Sequence, residues 1–148
     1  MAYKAQDIAN KLIYLAQMDE PNGGDAMTNL KLQKLLYYEQ GYHLAAFGTP
    51  LFDSNIEAWM YGPVVPEVYE MYKDNGSTPL VFNEEPIALT ESEEEIFAQV
   101  YEAFREFSAI GLMNRTHTEP TWTNVTPKGR GAIITNESME KYFKNQLA

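Results

Sequence analysis

Between Thr28 and Phe47 the chain runs without a proline, and its apolar residues recur every three or four positions. The spacing predicts a helix from Thr28, a side-chain N-cap, to about Ala46. At 100° per residue, Leu32, Leu35, Leu36, His43, Ala46 and Phe47 share one broad face. The opposite stripe carries Lys31, Lys34, Tyr38, Gly41, Tyr42 and Ala45. This helix is expected to be the central element, with the rest of the chain packed around it. Its lysine–tyrosine stripe suits either contact with another protein or cover by a flanking helix of the same chain. Gly41 costs about 1 kcal/mol against alanine inside a helix, which a close backbone approach would explain.

The surrounding segments are also mostly helical. Helices are expected at Ala5–Gln17, Pro66–Lys73, from Thr90, at Ser108–Arg115 and at Glu137–Asn145, the last capped by Asn136. Thr90-Glu91-Ser92-Glu93 has the form of a capping box, with Ile96, Val100, Ala103, Phe104 and Phe107 as the buried face behind it. Short strands are expected at Ile56–Tyr61 and Ala132–Thr135. Loop signals stand at Pro21–Asp25, Phe47–Pro50, Asp74–Ser77 and Pro127–Gly131. The expected fold is mainly α: about six helices around the 28–46 helix, a small two- or three-stranded sheet, and one domain over 1–148. At 148 residues the chain suffices for one hydrophobic core.

Composition removes much chemistry. There is no cysteine and there are only two histidines, so thiolate and histidine-rich metal sites are excluded. No metal or cofactor is expected. The net charge is −10. Residues 49–89 hold one basic and seven acidic side chains, and residues 90–114 one and six, whereas the C-terminal quarter is mildly basic. Phosphate binders cluster Lys and Arg, so direct nucleic-acid binding is not expected. Neither a long apolar stretch nor an apolar leader is present, and the expected location is the cytoplasm, away from membranes. The acidic run Glu91–Glu95 suits either a basic partner or simple solvation.

Two pairs could be read as acid–base chemistry. Glu39 and His43 lie one turn apart, so His43 is the obvious local partner of Glu39. His117 and Glu119 adjoin Trp122. Neither pair comes with a nucleophile or a third orienting group: for Glu39 and His43 a structural hydrogen bond, or a face that reaches solvent there, is expected, and for His117 and Glu119 a structural or binding role.

The densest run is Asn55-Ile56-Glu57-Ala58-Trp59-Met60-Tyr61-Gly62-Pro63-Val64-Val65-Pro66. Gly62-Pro63 forces a turn, leaving Trp59 and Tyr61 on one side and Val64 and Val65 on the other. Trp59 and Trp122 are expected as scaffold, and Tyr61 stays open between scaffold and contact.

Four blocks in order, Thr28–Tyr38, Gly41–Ala45, Gly48–Phe52 and Ile56–Val65, resemble the Panacea domain of SocA-like antitoxins and phage-associated GepA proteins. His117-Thr118-Glu119-Pro120-Thr121-Trp122 resembles that family's C-terminal segment, with Thr121 between Pro120 and Trp122. Glu39 stands where the family often has a small residue. The resemblance implies a non-enzymatic antitoxin of a bacterial or phage toxin–antitoxin pair that neutralises a cognate toxin protein by direct contact. The alternative mechanism in the same family is an adaptor that hands the toxin to an ATP-dependent protease. Candidate partner-binding residues are Lys31, Lys34, Tyr38, Tyr42, Tyr61, Gly62, Pro63, Val64, Val65, His117 and Glu119. No catalytic residue is implied.

Overall fold

The computed structural model describes residues 2–19, 27–126 and 131–147. The loop signal at Pro21–Asp25 and most of the one at Pro127–Gly131 lie outside the described residues. The elements run α1 (Ala5–Asp19), α2 (Asn29–Phe47), β1 (Ile56–Trp59), β2 (Gly62–Val64), α3 (Pro66–Tyr72), α4 (Glu91–Phe104), α5 (Ala109–Thr116), α6 (Pro120–Thr123), β3 (Ala132–Ile134) and α7 (Asn136–Gln146). The architecture is mainly α with a three-stranded antiparallel sheet, as the patterning predicts. Beyond the expected elements, the single turn α6 appears where Pro120 starts a helix for which its fixed φ is suited.

Local chemistry sets the ends. Thr28 Oγ1 accepts from Lys31 N at 3.3 Å, and Gly48 closes α2 in a left-handed conformation. The capping box at Thr90 and Glu93 forms in both directions. At α7 the cap is Thr135, not Asn136: its extended backbone lets its hydroxyl accept from Ser138 N at 3.1 Å. The strand expected to reach Tyr61 stops at Trp59, because Met60 and Tyr61 form the two-residue link of a hairpin in register Trp59 to Gly62. The other side of β1 pairs with β3, which gives the order β2-β1-β3.

Helix α2 lies at the centre, in contact with α1, α3, α4, α5, α7 and β2. Fifteen of its 19 residues are buried, so most of it is enclosed and its lysine–tyrosine stripe faces inward. The flanking-helix alternative is the one the fold adopts. Helix α7 supplies the cover, with Phe143 edge-on to Tyr37 and tilted against Tyr42 at 4.8 Å. On α4 the buried residues are Phe97, Val100, Tyr101 and Phe104, while Ala103 and Phe107 are exposed and Ile96 is half-buried. The face is therefore rotated from the expected one, because Phe97 lies under the Lys11 amine and Tyr101 bonds Asp19, both on α1.

Gly41 is where α7 approaches most closely: a Cβ there would collide with the Phe143 ring. Overpacking a rigid core costs about 1–3 kcal/mol, more than the helix propensity that alanine adds. Gly41→Ala should lower the urea-denaturation stability by about 1–2 kcal/mol, and adding Phe143→Leu should recover part of the deficit. A Gly41→Ala variant more stable than the parent would show that α7 yields freely at this contact.

Candidate functional site

The hairpin β1–β2 is held from below by α2. Lys34 Nζ donates to the Pro63 carbonyl at 3.0 Å, and Val65 N donates to Gln33 Oε1 at 2.9 Å. Gln33 is itself fixed by donating to Asn29 Oδ1 at 2.9 Å. Two helix side chains thus satisfy backbone groups of β2 and its exit, where β2 has no strand neighbour beyond β1 among the described residues. Gly62 has φ +105°, and a Cβ there would stand 2.8 Å from both Lys34 Cε and Thr116 Oγ1. Glycine is needed for conformation and for space. Lys34 is fully buried, and that desolvation brings its amine down to about 7.

The hairpin tip is pinned from the side. His117 Nε2 lies 2.9 Å from the Met60 carbonyl, and Trp122 Nε1 donates to the Trp59 carbonyl at 2.9 Å. The His117 and Trp122 rings stack at 4.1 Å. Between this hairpin, α2 and α3 lies a groove of about 730 Å³, walled by Trp59, Tyr61, Tyr69 and Trp122 and bordered by Lys73. Met60 (77% exposed) and Tyr61 (59%) project at its edge. Trp59 donates to Glu57 Oε1 at 2.9 Å and meets Tyr69 edge-on. The two tryptophans are half-buried: each is bonded into the scaffold, and each also lines the groove.

A second cluster is buried beneath. Tyr37 and Tyr38 donate to Glu119 Oε1 and Oε2 at 2.8 and 3.0 Å, and Tyr37 also bonds Thr121. Tyr142 contributes a further hydrogen bond, and Arg115 lies 3.9 Å away. Burial raises the Glu119 carboxyl above its ordinary range although these donors pull it down. For Tyr38, burial and the neighbouring carboxylate keep the phenol protonated.

The candidates therefore fall into two groups. Lys31, Lys34, Tyr38, Gly62, Pro63, Val64, Val65 and Glu119 are buried, and Lys31 Nζ donates to the Arg105 carbonyl at 2.6 Å. Tyr61 is exposed, and Tyr42 and His117 are half-buried. His117 and Glu119 point apart, one to the hairpin carbonyl and the other to the tyrosines, so they form no acid–base pair.

Glu39 and His43 do not pair either. The His43 ring is bonded to the Thr49 carbonyl at 2.6 Å and to Glu93 Oε2 at 2.7 Å. Glu93 also accepts from the Tyr3 hydroxyl at 2.7 Å. Burial opposes its ionisation, but the bonds from Tyr3, His43 and Thr90 outweigh that and bring the carboxyl down to about 2. A carboxylate from another helix won over the local one. No short-range signal marks that partnership, although Glu93 was legible as a capping residue. Of the acidic run, Glu93 and Glu94 are tied inward, Glu94 to Lys11 at 3.1 Å, and Glu91 and Glu95 stay exposed. Among the described residues, no group of three His, Cys, Asp or Glu could hold a metal ion. No described helix is long and apolar enough to cross a membrane.

Residues 32–123 match the family model described as antitoxin SocA-like, Panacea domain, and the chain belongs to that family. Antitoxin SocA of Caulobacter vibrioides (strain NA1000 / CB15N) is 42% identical over 73 residues, which is 49% of this chain and 36% of that protein. The matched segment thus spans about a third of that relative's length. No solved structure matches the chain at a significant level.

Glu39 is 1% exposed, its Oε2 has no hydrogen-bond partner among the described residues, and burial holds its carboxyl well above the ordinary 4.5. The folded chain keeps a proton that the unfolded chain releases above about 4.5. This contribution to stability is whole at low pH and is lost as pH rises toward the folded value, by up to about 1.4 kcal/mol per pH unit. Glu39→Gln should exceed the parent in urea-denaturation stability at pH 8 and decline less between pH 5 and 8. Parallel declines would mean that the carboxyl is solvated.

Proposed function

We propose that this chain, acting over its whole 1–148 span in the cytoplasm, is the antitoxin of a bacterial or prophage toxin–antitoxin pair that neutralises its cognate toxin by direct contact. One observation carries the proposal: an aromatic groove stands open on a pinned hairpin, while both histidines and Glu119 are tied up in internal bonds and Glu39 is shut away from solvent. Such a surface is arranged to bind. A preformed wall loses little entropy on docking, and exposed tyrosine is a favoured anchor. Membership of an antitoxin family supports the same conclusion. We read the chain as a binding protein without a catalytic step.

Of the sequence candidates, the proposed contact residues narrow to Tyr61 at the hairpin tip, with Tyr42 and His117 beside half-open surface. Lys34 sets the hairpin from beneath, Lys31 holds the end of α4, and Tyr38 and Glu119 bond each other in the interior. Gly62, Pro63, Val64 and Val65 are the hairpin's inner leg.

Co-expression should rescue cells from the toxin encoded beside this gene, and the two proteins should copurify. An unchanged toxin half-life during rescue distinguishes neutralisation from delivery to an ATP-dependent protease. Tyr61→Glu should weaken the complex by about 2 kcal/mol or more without moving the melting temperature. Lys34→Glu should instead unfold the hairpin region by leaving a buried charge uncompensated. Absence of both rescue and complex would refute the assignment.

A further inference from the structure

The groove beside the hairpin has an interior and a rim of different character. Its walls are aromatic, and its volume of about 730 Å³ lies within the range of pockets that accept a ligand or large side chains. Among the described residues two lysines line it, one shut away inside and one at the surface beside a carboxylate. Lys34 is fully buried with its amine on the Pro63 carbonyl, and Lys73 is paired with Glu70 at 2.9 Å. Among the described residues, no carboxylate lines the interior.

The rim is acidic. Glu57 bonds the Trp59 indole, Glu70 holds Lys73, and the exposed Asp74 follows Lys73 in the chain. These three belong to the 49–89 segment, with its seven acidic side chains against one basic. Among the described residues, Glu57, Glu70 and Asp74 outnumber the single exposed cation Lys73 beside the opening, which favours cations there, while the interior favours apolar and aromatic groups.

Resting on the antitoxin reading, we propose that the groove takes an apolar or aromatic side chain from a basic segment of the partner polypeptide. The anchor sits between Trp59, Tyr69 and Trp122, and flanking Lys or Arg residues meet Glu57, Glu70 and Asp74. Tyr61 and Met60, exposed at the hairpin tip, close over the anchor's outer edge. The pins from His117 and Trp122 keep the wall in place before binding, so recognition needs no rearrangement of the hairpin. Rim charges speed encounter and make binding sensitive to salt, and the buried anchor slows release.

The chain's two tryptophans, Trp59 and Trp122, both line the groove, so fluorescence excited at the red edge of the tryptophan band, where tyrosine does not absorb, reports on this site. Three capped pentapeptides serve as probes: KKFKK, KKSKK and EEFEE. KKFKK should change the fluorescence saturably, with at least tenfold lower affinity in 0.5 M NaCl and in a Glu70→Lys/Asp74→Lys variant. KKSKK and EEFEE should bind at least tenfold more weakly. Equal or tighter binding of EEFEE, no response to KKFKK, or indifference to the rim substitutions would each overturn the proposal. Co-expression rescue, measured in parallel, separates the two readings. Intact rescue without a KKFKK response refutes the groove chemistry alone, and absent rescue refutes the antitoxin reading.

Discussion

Everything in this fold answers to the cost of burying polar groups on a helix that is enclosed along most of its length. Helix α2 carries Asn29, Lys31, Gln33, Lys34, Gln40 and His43 into the interior. An unpaired buried polar group costs on the order of 1–3 kcal/mol, so each must find a partner. The partners are mostly backbone groups of segments that lack regular neighbours. Gln40 accepts from Leu51 and Phe52 N and donates to the Phe52 carbonyl at 2.8 Å. Gln33 and Lys34 hold β2, Lys31 holds the end of α4, and His43 holds the Thr49 carbonyl. The helix works as an internal template on which loops and hairpin are set.

That template decides the character of the surface. With the lysines and tyrosines of α2 spent inside, the outer surface depends on what α2 supports: the Met60–Tyr61 tip and the aromatic groove beside it. The hairpin is fixed on two sides, from below by Lys34 and Gln33 and laterally by His117 and Trp122. A three-stranded sheet this short would be weak by itself. Here side chains from α2, α5's end and α6 make it rigid. On α2, Glu39 is a buried group left without full compensation among the described residues. It is neutralised by its surroundings, not by a partner.

Local signals were sufficient for some features. The Thr90–Glu93 capping box, the Thr28 cap, the Gly62-Pro63 turn and the close approach at Gly41 all depend on a few adjacent residues or on a single missing Cβ. They were legible for that reason. The α4 face was misjudged because its periodicity is shared by two neighbouring stripes, and only packing against α1 and α2 chose Phe97 and Tyr101. The Glu39–His43 pair was expected because i, i+4 is the nearest geometry on a helix. Glu93, fifty positions away, reached the ring instead and left Glu39 buried without it.

The sequence alone determined that the chain is mainly helical around one central helix, that it has no thiol chemistry, and which family its motif blocks mark. Those properties follow from composition and short-range spacing, which survive without three-dimensional information. Tertiary structure alone decided which face of α2 meets solvent, whom His43 and Glu119 bond, and that Tyr61 stands outside while Tyr38 is buried. Charge and hydrogen-bond partners that come from distant segments are selected by packing, because burial penalises any polar group whose partner fails to arrive.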